Sequence, residues 1–211
     1  MIIITGASRG IGKDLAFRFG WAGREVITQR VDVTDYDAVG KMVSELEDPL
    51  EVVLLNCAGI SYNSLAHKAD LELWGRVIDV NLKGSFNMIH HLLPIMRRQG
   101  YGRIINFSSV VAHLPTVGVS AYAASKAGLI GMTKSLAAEN ASCGITVNNI
   151  CLGYANIGMG INDVPADKQA EMMGRIPARR FCDPEEIYKT VKYLIETEYV
   201  NGASIDINGG L

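Results

Sequence analysis

Six short apolar runs, alternating with five longer stretches of helical period, constrain this chain more than any other feature. The runs lie at 2–5, 25–28, 52–56, 103–108, 145–151 and 204–207, and the helical stretches at about 11–22, 35–46, 70–99, 121–141 and 184–197. The runs are almost continuously hydrophobic, as strands are when helices cover both faces of a parallel sheet. Strands alternating with helices predict an α/β fold, a single doubly wound Rossmann-type domain over 1–211. The 211 residues, 48% of them hydrophobic, suffice for one core without staples.

One interval breaks the rhythm. Between the second run and the helix starting near 35, the segment Gln29-Arg30-Val31-Asp32-Val33-Thr34 is too short for a crossover helix, which needs about ten residues or more. The sheet is therefore expected to lack about one edge strand and its helix, or to run one long strand through this segment. An edge strand can be lost without opening the core.

Thr5-Gly6-Ala7-Ser8-Arg9-Gly10-Ile11-Gly12 follows the first strand and opens the first helix. Gly6 permits the tight turn, Gly10 lets the backbone approach a pyrophosphate, and Gly12 allows helix and strand to pack closely. The helix N-terminus adds free N–H groups and the positive end of its dipole. A dinucleotide is the expected ligand. A carboxylate after the second strand would suit NAD, but Gln29 and Arg30 stand there, with Arg9 in the turn. Guanidinium groups bind phosphate strongly, which favours NADP(H) and leaves NAD(H) possible.

Ala121-Tyr122-Ala123-Ala124-Ser125-Lys126 opens a strongly helical stretch, so Tyr122 and Lys126 share one helix face. An ammonium one turn away is expected to lower the phenol's pKa toward neutrality, as proton transfer at cellular pH requires. Ser108-Ser109 and Asn56-Cys57-Ala58-Gly59 each end a strand at the edge where α/β sheets bind ligands.

These motifs, with Asp79-Val80-Asn81-Leu82-Lys83-Gly84, Ile176-Pro177-Ala178-Arg179-Arg180-Phe181 and Asn208-Gly209-Gly210, give the chain a resemblance to the short-chain dehydrogenase/reductase family. It is most similar to the 3-oxoacyl reductase-like members, over nearly its whole length. The resemblance implies an NAD(P)-dependent exchange between a ketone, free or thioester-linked, and a secondary alcohol. It implies a catalytic tetrad of Asn81, Ser109, Tyr122 and Lys126. Tyr122 would move the proton, Ser109 polarise the carbonyl, Lys126 hold the nicotinamide ribose, and Asn81 hold a relay water. Gly6, Ser8, Arg9, Gly10, Ile11, Gly12, Arg30, Asp32, Val33, Asn56, Ala58, Gly59, Gly153 and Ala155 would line the cofactor.

The chain departs from the family pattern at Leu152, where proline is usual, and at Ile157, where a threonine usually helps hold the carboxamide. Asn156 is the nearest replacement. Gly100 and Cys143 stand where carrier-protein reductases are expected to use arginines, although Arg97 and Arg98 lie close by. The glycine-rich segment 154–175 has the composition of a lid, with Met159, Ile161, Met172 and Met173 as an apolar lining or, equally, as packing residues. A cofactor-binding protein with little activity is the alternative reading.

The net charge of −2, with both signs spread along the chain, argues against nucleic acid. Apolar runs this short argue against a membrane span or signal peptide, and the four cysteines show no C-x-x-C spacing. No metal is expected, and the location is expected to be cytoplasmic. The family usually forms dimers or tetramers through the helices at 70–99 and 121–141. Leu92, Leu93, Ile95, Leu129, Ile130 and Met132 are compatible with such a homo-oligomer, although core packing explains them equally well.

Overall fold

The computed structural model describes residues 1–47, 49–158 and 165–211. Six strands form one all-parallel sheet: β1 (Ile2–Thr5), β2 (Val26–Ile27), β3 (Val53–Asn56), β4 (Gly102–Ser109), β5 (Ile145–Leu152) and β6 (Ser204–Ile207). Their order is β2-β1-β3-β4-β5-β6. The helices are α1 (Gly10–Trp21), α2 (Tyr36–Ser44), α3 (Leu71–Ile78), α4 (Gly84–Gln99), α5 (Ser120–Asn140), α6 (Ala166–Arg175) and α7 (Pro184–Glu196).

The alternation of side chains along each strand explains the unbroken apolar runs. Ile3, Leu54 and Ile104 face one core, which includes residues of α2, α4 and α5. Ile2, Ile4, Val53, Leu55 and Ile105 face the other, with residues of α1 and α7. Strands β1 to β5 thus feed two cores, which an alternating polar pattern could not do, whereas β6 alternates and gives only Ile205 and Ile207 to the second.

The sheet is trimmed as the sequence implies. β2 is only two residues long and forms the edge, and the chain runs from Thr28 irregularly into α2. No long strand passes through this segment. A right-handed crossover from β2 to a strand further out would lay its helix beside α1. Without it, Phe17 and Trp21 of α1 stand 69% and 86% exposed, stacked at 6.4 Å.

The segment that replaces the lost unit is pinned from the opposite face. Val33 is buried, and Asn87 of α4 donates to its carbonyl oxygen at 2.8 Å. Gly84 is required here, because a Cβ would come within 2.5 Å of Val33 Cγ2.

Two helical expectations need correction. The stretch 70–99 is not one regular helix. It divides into α3 and α4, joined by a π-helical turn over Asp79–Lys83. Within the lid, α6 forms over a run rich in helix formers that the glycine content obscured. Met172 and Met173 are half-buried on α6, while Met159 and Ile161 lie outside the described residues.

Candidate active site

The sheet's strand order turns at β1, whose neighbours β2 and β3 lead in opposite directions. A ligand crevice opens outside the C-terminal strand ends at such a point. Two loops meet there. Gly6 has φ +66°, and a Cβ on it would come 2.8 Å from Ala58 Cα, so the turn after β1 is pressed against the one after β3. Thr5 Oγ1 reinforces the contact by accepting from the Ala58 N–H at 3.1 Å. A Cβ on Gly12 would lie 2.7 Å from the Gly6 carbonyl oxygen, which seats α1 directly on the turn.

Helices α2, α3 and α7 each begin at an aspartate whose side chain caps them. α1 begins at Arg9, with no side-chain cap and no acid in its first turn. Its N-terminal N–H groups and dipole end are thus left for an anion. This arrangement fits the pyrophosphate of a dinucleotide. Ser8, Arg9 and Arg30 are exposed, and neither arginine makes an ion pair among the described residues. Asp32 is also exposed, its Oδ1 accepting from Thr34 N at 3.0 Å and Thr34 Oγ1 at 2.8 Å, and these bonds hold its carboxyl below the usual range.

A cleft of about 300 Å³ continues from this crevice. Ile11, Gly59, Ser109, Tyr122, Lys126, Gly153 and Ala155 line it, so residues from five separate segments converge. Cys57, Ser61, Asn63, Val110, Val111, Val119 and Ile157 also line it, and of these the sequence singles out only Ile157 and the Cys57 motif. Ser61 and Asn63 lie on a loop with no motif of its own, so spacing offered no signal. Asn156 is exposed, with its N–H donating to the Cys182 carbonyl at 2.9 Å, and its neighbour Ile157 lines the cleft.

The two serines at the end of β4 divide their work. Ser108 is buried and donates to the Lys126 carbonyl oxygen at 2.8 Å, fastening α5 to the sheet. Ser109 is half-buried and hydrogen-bonds the Tyr122 phenol. Asn81 sits on the π-helical turn, a feature often found at functional sites. Its amide accepts from Ile60 N at 2.8 Å and donates to Ile60 O at 2.9 Å and Ser125 Oγ at 3.0 Å. Ser125 in turn donates to the Tyr122 carbonyl oxygen at 2.8 Å, so Asn81 links the β3 loop to the start of α5. Asn56 does not point into the crevice. Its Nδ2 donates to Asn106 Oδ1 at 2.8 Å inside the sheet, in a row where Thr5, Asn56, Asn106 and Asn149 stand side by side.

The electrostatics differ from the expectation of an acidified phenol. Burial raises the Tyr122 phenol above its ordinary value, and the Ser109 hydrogen bond only partly offsets this. The Lys126 ammonium lies 5.3 Å from the centre of the Tyr122 ring and donates to the Phe107 carbonyl oxygen at 2.6 Å. It therefore sits against the ring rather than at the hydroxyl. Burial also draws Lys126 down to about 8, opposed by the nearby Cys57 thiol, which burial pushes well up.

Of the helix residues named for an oligomer, Leu92 and Leu129 are fully buried in the core, and Leu93, Ile95, Ile130 and Met132 are half-buried. Phe86 and Leu73, which spacing did not single out, stand 44% and 45% exposed on α4 and α3. No helix among the described residues is long and apolar enough to cross a membrane.

Fold and cleft together define a dinucleotide-type α/β protein with a serine, a phenol and a lysine gathered at one strand edge. A family model described as enoyl-(acyl carrier protein) reductase matches residues 12–211. The acetoacetyl-CoA reductase of Rhizobium meliloti is 36% identical over 233 positions, covering 99% of this chain and 96% of that protein. A 3-oxoacyl-(acyl-carrier-protein) reductase of Staphylococcus aureus is 37% identical over 239 positions, with the same coverages. The solved 3-oxoacyl-(acyl-carrier protein) reductase of Brucella melitensis superposes with a TM-score of 0.89 at 30% identity, covering 100% of this chain and 90% of that one. The chain belongs to the short-chain dehydrogenase/reductase family of oxidoreductases. Both sequence alignments exceed its 211 residues, so those relatives carry residues it lacks.

Proposed function

We propose that this protein interconverts a ketone and a secondary alcohol on a small acyl substrate, with NADP(H) preferred over NAD(H). The observation that carries the reading is the convergence of Ser109, Tyr122 and Lys126 on one cleft beside the uncapped start of α1. The dinucleotide, when bound, supplies or accepts the hydride. Gly6, Gly10, Ile11 and Gly12 would hold its pyrophosphate, Asp32 and Val33 its adenine, and Lys126 the ribose hydroxyls. Ser109 would donate a hydrogen bond to the substrate carbonyl oxygen, and Tyr122 would give that oxygen a proton.

A phenol held above its ordinary pKa is protonated at neutral pH, the form a general acid needs for carbonyl reduction. The free guanidinium groups of Arg9 and Arg30 support the 2′-phosphate preference. The relatives' names support a 3-oxoacyl thioester as substrate. The apolar walls of Val110, Val111, Val119 and Ile157 suit a short acyl chain.

Turnover of acetoacetyl and longer 3-oxoacyl thioesters, assayed with NADPH and NADPH replaced by NADH, tests this reading. Oxidation of NADPH with at least one thioester is expected, with a lower KM than NADH. Cofactor binding without turnover of any ketone would leave the inactive, cofactor-binding alternative in its place.

We also propose a homodimer or homotetramer, supported by the exposed Leu73 and Phe86 on α3 and α4. Light scattering is expected to give a multiple of the chain mass, and a monomer at micromolar concentration would reject it.

A further inference from the structure

Outside the cleft, three potential metal donors meet from distant parts of the chain. Cys151 is on β5, Asp206 is on β6, and His113 follows the short 3-10 turn Val110–Ala112 after β4. Cys151 Sγ and His113 Nε2 are 3.6 Å apart, and the three donor atoms all lie within 4.8 Å of one another. The sheet register sets Ser108, Cys151 and Asp206 side by side on adjacent strands, so their side chains project to one face. Cys151 is fully buried, whereas His113 and Asp206 are exposed, giving a buried sulfur with a solvent-facing mouth. None of the three lines the cleft.

The spacing matches a known coordination geometry. Zinc bonds to sulfur at about 2.3 Å and to imidazole nitrogen at about 2.0 Å, which at the tetrahedral angle separates the two donors by about 3.6 Å. The carboxylate must move inward by about an ångström to reach the same distances, as an exposed side chain can. Mixed sulfur, nitrogen and oxygen donors select borderline ions such as zinc over calcium or magnesium.

We propose that Cys151, His113 and Asp206 form a three-ligand site for a zinc-class divalent cation, with its fourth position open to water. Binding forms the sulfur–metal bond and releases the thiol proton to solvent, so thiolate and carboxylate together neutralise the ion's charge. The ion would tie the loop that starts at Ser109 to β5 and β6, and so steady one wall of the cleft.

The test uses the full chain stripped with a chelator and titrated with cobalt(II), which reports sulfur coordination by a near-ultraviolet thiolate-to-metal charge-transfer band. One cobalt per chain, with that band and its displacement by zinc, is the expected result. Because Cys151 is fully buried and its substitution risks the core, the exposed-site variants His113→Ala and Asp206→Asn carry the decision. Each is expected to weaken cobalt binding about tenfold or more. Absence of the band at millimolar cobalt would overturn the proposal. So would a band of unchanged affinity in both variants, which would assign the sulfur to Cys57, Cys143 or Cys182.

Discussion

Tyr122→Phe is expected to lower kcat for ketone reduction by about 10²- to 10⁴-fold, the usual contribution of a positioned general acid. The change removes one oxygen and keeps the ring, so the packing over Lys126 at 5.3 Å is preserved. Ser109 keeps its place through the turn it caps, where its Oγ accepts from the Val111 N–H at 3.4 Å. NADPH affinity, measured by fluorescence titration, should therefore stay within about twofold while kcat falls, the pattern of an interaction made in the transition state. The pH dependence has a definite sign. Because the phenol's pKa is raised, reduction should hold through neutral pH and decline only as the phenol ionises at alkaline pH, whereas alcohol oxidation should rise over the same range. A kcat equal to that of the wild type would remove Tyr122 from the chemistry.

Lys126→Met is expected to abolish most activity and yet make the folded protein more stable at pH 7. The lysine's pKa is about 8 in the folded state against 10.5 in its absence of structure. Below about pH 8 it is charged in both states, and folding carries the full desolvation cost. Between about 8 and 10.5 the unfolded chain holds more of the proton, so wild-type stability climbs with pH, and above 10.5 the cost is gone. A depression of this size corresponds to about 3 kcal/mol. Losing the hydrogen bond to the Phe107 carbonyl returns about 1 kcal/mol of that. Urea denaturation at pH 7 and pH 10 measures the effect. The variant should be the more stable at pH 7, with the gap narrowing at pH 10. A variant less stable at both values would show that the ammonium is not held at a cost. A more stable variant would fit the common trade between a strained functional group and stability.

The shared helix face of Tyr122 and Lys126 follows from their spacing, and their place at the strand edge follows from Ser108-Ser109 ending β4. Direction did not follow. Spacing puts Lys126 near Tyr122, but the carbonyl of Phe107, nineteen residues away in sequence, decides where the ammonium points. The expected acidified phenol was wrong for that reason, since burial dominates when the cation lies under the ring. Similarly, Asn56 belongs to a recognisable motif, yet its pairing with Asn106 across the sheet turns it away from the crevice.

The sequence by itself determined the layered α/β fold, the glycine turn and the shortened segment before Asp32, because these depend on local periodicity, glycine conformations and the minimum length of a crossover. Only the tertiary structure decided the split between α3 and α4, the lining by Ser61 and Asn63, and the meeting of His113, Cys151 and Asp206. Such features arise between segments far apart in the chain, where strand register and packing set the distances and no periodic signal survives.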